Sequence, residues 1–148
     1  MNNAKALIDG DILIYKIGFS SNEPYEKKFA ISRMGNFVDR LIKVEGIDSY
    51  EGYLTGKKNY RSEIATEQAY KGNRKEARKP VHYDSLREYL ITKWDFKLQE
   101  GQEADDAMGI KAYNLPEDSS CIMTIDKDLD MIRGWHYNFN KEYLYYVT

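Results

Sequence analysis

Two short apolar runs in this chain end directly on an aspartate. Ala4 to Ile8 runs into Asp9-Gly10-Asp11, and Cys121 to Ile125 runs into Asp126-Lys127-Asp128-Leu129-Asp130. Short apolar runs bounded by turn-forming residues read as buried strands. A third acidic group, Glu103-Ala104-Asp105-Asp106, opens a stretch to Tyr113 that carries Ala104, Ala107, Met108 and Lys111 at helical spacing. In an open α/β sheet, functional groups gather beyond the carboxyl ends of the strands. If the acidic helix starts at that same edge, at least four carboxylates converge there.

The remaining pattern supplies such a sheet. Ile12 to Ile17 begins a helix, and Lys27 to Lys43 places Phe29, Met34, Phe37, Val38, Leu41 and Ile42 at helical spacing, with Gly46 as a stop. Ser49 to Leu54, Asn59 to Ile64 and Phe96 to Leu98 read as short strands, and Asp84 to Trp94 as a helix. A short helix over Leu129 to Arg133 and two strands, Trp135 to Phe139 and Tyr143 to Val147, complete the order. Strands alternating with helices predict an α/β fold with a mostly parallel central sheet. At 148 residues the chain has the length of one domain, 1–148. No apolar run approaches the ~20 residues that span a bilayer.

Converging carboxylates need a counter-charge. Two like charges about 4 Å apart repel by about 4 kcal/mol at an effective dielectric of 20. Several such pairs would cancel most of a typical stability of ~5–15 kcal/mol. Protonation or a divalent metal offsets this, and an oxygen-only shell suits Mg²⁺ or Mn²⁺. One cysteine and two histidines exclude a cysteine-based zinc cluster and a multi-histidine site. Each acidic group also has a plainer reading: Asp9-Gly10-Asp11 as a turn, and the other two as helix caps and dipole partners. His136, in an aromatic strand, reads as structural, Cys121 as a small buried hydrophobe, and Met34, Phe37 and Trp94 as core.

The charge is segregated. Residues 57–79 hold eight basic and three acidic side chains, +5, so a chain of net −2 leaves −7 for the remainder. Such a segment is either a solvated loop or a track for nucleic-acid phosphates, with Tyr70 to stack a base.

The motifs in that segment resemble a known family. Tyr60-Arg61 and Tyr70-Lys71-Gly72-Asn73-Arg74 are similar to the Phe-Arg and Tyr-Lys-Gly-Asn-Arg motifs of the bacteriophage and bacterial flap endonucleases, or 5′→3′ exonucleases. Glu103-Ala104-Asp105-Asp106 resembles their Glu-Ala-Asp-Asp motif, Asp126-Lys127-Asp128-Leu129-Asp130 their Asp-x-Asp-x-Asp block, and Leu7-Ile8-Asp9-Gly10 their first motif. The resemblance covers nearly the whole chain. It implies a PIN-like fold and a divalent-metal-dependent 5′ nuclease acting on DNA with single-stranded 5′ ends or flaps, leaving a 5′-phosphate. Asp9, Glu103, Asp105, Asp126 and Asp128, then Asp106, match its metal-holding carboxylates, with Mg²⁺ or Mn²⁺ as one or two ions. Lys71 and Arg74 match its phosphate-contacting catalytic cations, Tyr70 a base-stacking ring, and Arg61 a residue at the base of an arch. With Lys75 and Arg78 these make the expected nucleic-acid contacts, on an arch-like segment at about 57–80.

Two departures bear on function. The family carries an aspartate shortly before its Phe-Arg motif, where this chain has Leu54-Thr55-Gly56. The chain also reaches Thr148 without the family's helix–three-turn–helix module, so a partner or self-association would supply the grip on duplex. A PIN-type ribonuclease acting on RNA, and an inactive nucleic-acid-binding or partner-docking protein, are the alternatives. The resemblance places the protein in phage replication or DNA processing, in the cytoplasm of a bacterial host, with no membrane association.

Overall fold

The computed structural model describes residues 1–22, 24–56, 79–101, 103–116 and 118–148. In chain order the elements are β1 (Ala4–Asp9), α1 (Gly10–Ser20), α2 (Lys27–Ile42), β2 (Ile47–Thr55), α3 (Tyr83–Trp94), β3 (Lys97–Gln99), α4 (Ala104–Asn114) and β4 (Ser120–Thr124). A 3-10 helix (Lys127–Met131), β5 (Gly134–Asn138) and β6 (Tyr143–Val147) follow. The strands form one sheet in the order β3-β2-β1-β4-β5-β6. All its pairings are parallel except β5 with β6. The expected mostly parallel α/β architecture is the one observed.

The alternation of side chains along the central strands builds two cores, one on each face. Ala6 and Ile8 of β1 and Cys121 and Met123 of β4 pack on one side with Leu13 and Ile14 of α1, Met34 and Val38 of α2, and Leu86 and Leu90 of α3. Leu7 and Ile122 point the other way, onto Ala104, Ala107 and Met108 of α4. Adjacent residues on opposite faces are what a period of two requires of strands covered on both sides. Small residues on α4 let it lie close to the sheet, and Lys111 reaches Glu51 of β2 at 3.7 Å from the same helix.

Several boundaries differ from the sequence reading. Ile125 and Phe139 lie just past their strands, and Phe96 precedes β3 as a buried core residue. The helix expected over Leu129 to Arg133 is instead a 3-10 helix starting at Lys127, because Asp126 caps it by accepting the Asp128 N–H at 2.9 Å. The expected strand over Asn59 to Ile64 lies outside the described residues. Met34 is fully buried, while Phe37 and Trp94 pack against the core from its edge. His136 is buried, with Nε2 2.7 Å from the Ile132 carbonyl and its ring stacked on Tyr145. Cys121 is buried, and that burial pushes its thiol up to about 12. No helix among the described residues is long and apolar enough to cross a membrane.

Candidate functional site

From β1 the sheet order runs outward through β2 on one side and through β4 on the other. The carboxyl ends of β1 and β4 are therefore neighbours at a switch point, where open α/β sheets form crevices. Asp9 is the last residue of β1, and Asp126 follows β4 by two residues. The Thr124 hydroxyl joins them: it donates to Asp9 Oδ2 at 2.9 Å and accepts the Asp126 N–H at 3.1 Å. The two aspartates, 117 positions apart in the chain, thus share one hydroxyl.

Asp9 is 3% exposed. It also serves as N-cap of α1, its Oδ1 accepting the Ile12 N–H at 3.2 Å. Burial raises its carboxyl from 3.8 to about 7, and the Asp11 and Asp105 carboxylates push in the same direction. Gly10 lets α1 start hard against β2, since a Cβ there would lie 2.6 Å from the Tyr53 carbonyl oxygen.

The start of α4 brings the third group. Glu103, Asp105 and Asp106 each offer a carboxylate oxygen, and these oxygens lie within 4.8 Å of one another. Asp105 is half-buried; burial, then the Asp106 and Asp126 carboxylates, raise it above the ordinary range. Its Oδ1 accepts the Asp106 N–H at 2.9 Å. Glu103 is the N-cap residue of α4 but makes no side-chain cap bond. Asp128 is exposed, and with Asp105 and Asp106 it lines an open groove between α4 and the 3-10 helix.

Caps and convergence therefore coexist. Asp9 and Asp126 both cap helices, yet the Asp105 carboxylate acts on Asp9 and is itself raised by Asp126. The donor set is entirely carboxylate oxygen, partly buried and mutually repulsive, which fits a hard divalent cation.

Arg61, Tyr70, Lys71, Arg74, Lys75 and Arg78 lie outside the described residues, so the arch-like segment is represented only by its flanks. On one side Gly56 follows β2 and its N–H bonds the Gln99 carbonyl at 3.2 Å. On the other, Lys79 Nζ sits 4.5 Å from the centre of the Tyr83 ring. Pro80 is buried against α1, 2.7 Å from where a Cβ on Gly18 would stand.

Two site residues escape a search for acids. Thr124 is a polar residue near the end of an apolar run, two before Asp126, and that is its only sequence signal. Thr55 occupies the neighbourhood where an aspartate was expected. Asp11 is held there, its two oxygens accepting from the Thr55 N–H at 3.1 Å and from the Thr55 hydroxyl.

No protein-family model matches the chain, and no curated protein matches it in sequence. Solved structures do match. The bacteriophage T5 5′-exonuclease with zinc ions bound has a TM-score of 0.65 at 20% identity, over 97% of this chain and 58% of that one. A T5 flap endonuclease in a pseudo-enzyme–product complex with DNA and metal ions gives 0.61 at 18% identity, over 97% and 57%. The fold is thus that of the PIN-like region of these T5 structures, and the chain spans a little over half their length.

Proposed function

We propose that this protein is a divalent-metal-dependent 5′ nuclease acting on DNA with single-stranded 5′ ends or flaps. The observation that carries this reading is the meeting of acidic groups at one sheet edge: the Thr124 hydroxyl bonds both the Asp9 carboxylate and the Asp126 N–H, and Asp105, clustered with Glu103 and Asp106 at the start of α4, interacts with the charges of Asp9 and Asp126. The fold around them is shared with T5 structures that hold metal ions and DNA.

Asp9, Glu103, Asp105, Asp126 and Asp128, with Asp106 behind them, form the proposed ligand set for Mg²⁺ or Mn²⁺. When bound, such ions make a potent nucleophile available from water at neutral pH and stabilise the leaving oxygen of a phosphodiester. The protein's own part is to hold that geometry. Asp9 is fixed by two hydrogen bonds and closed off from solvent, while Asp105 and Asp106 ride on the first turn of a helix packed against the sheet. The N-terminal flank of the basic segment leaves the carboxyl end of β2, next to β1. From there Lys71 and Arg74 would neutralise the scissile phosphate, Tyr70 would stack a base, and Arg61, Lys75 and Arg78 would follow the strand.

The test is cleavage of an end-labelled 5′-flap DNA, beside a matched RNA, with Mg²⁺ or Mn²⁺ and with chelator. The wild-type chain should cut the DNA only with metal, and Asp126→Asn should lose that activity while keeping its circular-dichroism spectrum. Equal cleavage by wild type and variant, or cleavage in chelator, would reject the site. Preferential cleavage of the RNA would reject the substrate.

A further inference from the structure

Thr55 ends β2 at the edge where the carboxylates gather, and all of its polar groups are engaged. It is 9% exposed. Its N–H and hydroxyl both donate to Asp11, and its carbonyl accepts from Arg87 Nη2 of α3 at 2.7 Å. The same hydroxyl oxygen accepts the Ala104 N–H at 3.1 Å. That amide lies between Glu103 and Asp105 in the chain, in the first turn of α4.

The first turn of a helix leaves backbone N–H groups without intrahelical partners, and a side chain at the cap position ordinarily takes one of them. Glu103 makes no such bond. The cap comes instead from a residue 49 positions earlier, on the neighbouring strand. A hydroxyl suits the position because it can donate and accept at once. Its proton goes to Asp11, which leaves its lone pairs for Ala104. A carboxylate at position 55 would accept only, and would face Asp11 acceptor to acceptor.

We infer that Thr55 is a positioning residue for the metal centre: aimed by Asp11, its hydroxyl caps α4 from β2 and sets Glu103, Asp105 and Asp106 in register with Asp9. The inference rests on the metal reading above. Outer hydrogen bonds of this kind fix ligand orientation, and losing one weakens metal affinity.

The experiment is calorimetric titration of Mn²⁺ into wild type, Thr55→Val and Thr55→Ser, with amide exchange at Ala104 and the unfolding midpoint measured alongside. Valine keeps the shape and removes the hydroxyl, so affinity should fall by about 10–100-fold and the Ala104 amide should exchange faster. Serine keeps the hydroxyl and should bind within roughly threefold of wild type. If the valine variant does not fold cooperatively, Thr55→Ala takes its place with the same expectation. Wild-type affinity in the hydroxyl-less variant, or an equal loss in the serine variant, overturns the positioning role while leaving the metal reading intact. Absence of Mn²⁺ binding by the wild-type chain instead overturns the metal reading itself, and the positioning role with it.

Discussion

Replacing Asp9 by asparagine should stabilise the metal-free protein at alkaline pH, although it removes a proposed ligand. Asp9 is buried, and its carboxyl is lifted from 3.8 to about 7. Between these values the folded chain keeps a proton that the unfolded chain has lost, so stability falls as pH rises from about 4 to about 7 and stays lower above it. A gap of about three pH units corresponds to about 4 kcal/mol, the most that removing the charge can return. Asparagine preserves the shape and can keep both contacts: its Oδ1 can accept the Ile12 N–H, and its Nδ2 can donate to the Thr124 hydroxyl oxygen, which has one lone pair left beside the Asp126 N–H. For a chain of this size a gain of that order raises the melting temperature by roughly 10 °C. The assay is thermal and urea unfolding of wild type and Asp9→Asn in chelator, at pH 4, 6 and 8. The gain should be near zero at pH 4 and largest at pH 8. A variant less stable than wild type at pH 8, or a gain independent of pH, would refute the burial argument.

Other perturbations follow from the same geometry. Asp126→Asn should abolish metal-dependent flap cleavage without loss of fold, as read by product formation and circular dichroism. Lys71→Ala should slow turnover while leaving Mn²⁺ affinity unchanged; an unaltered rate would remove Lys71 from the phosphate contact. Gly10→Ala would force a Cβ to within 2.6 Å of the Tyr53 carbonyl oxygen. Overpacking of that kind should cost about 1–3 kcal/mol in urea unfolding, and a neutral result would show that α1 can slide off β2.

The sheet and the strand-end placement of Asp9 and Asp126 were legible because both depend on local pattern. An apolar run of five or six residues fixes a buried strand, and an aspartate that follows it must appear at the carboxyl edge. The neighbouring position of β1 and β4 then made the two ends meet. Finer boundaries were lost where a cap outweighed hydropathy. Asp126 drew the next helix two residues earlier and tightened it to 3-10, leaving only Leu129 buried in it. Thr55 was illegible for another reason. Read locally it is a strand residue where a carboxylate was expected, and its bonds to Asp11 and Ala104 span 44 and 49 positions. No spacing rule reaches that far, whereas Glu103, Asp105 and Asp106 are grouped by one helical turn.

The most direct test of the account is a Mn²⁺ titration of the wild-type chain at pH 6.5, repeated in two buffers of different ionisation enthalpy. With the Asp9 carboxyl titrating at about 7 in the metal-free protein, binding at this pocket must displace its proton. Saturable binding that releases most of one proton per chain is the predicted result. No binding, or binding that moves no proton, would contradict the claim that these acidic groups form one cation-holding site.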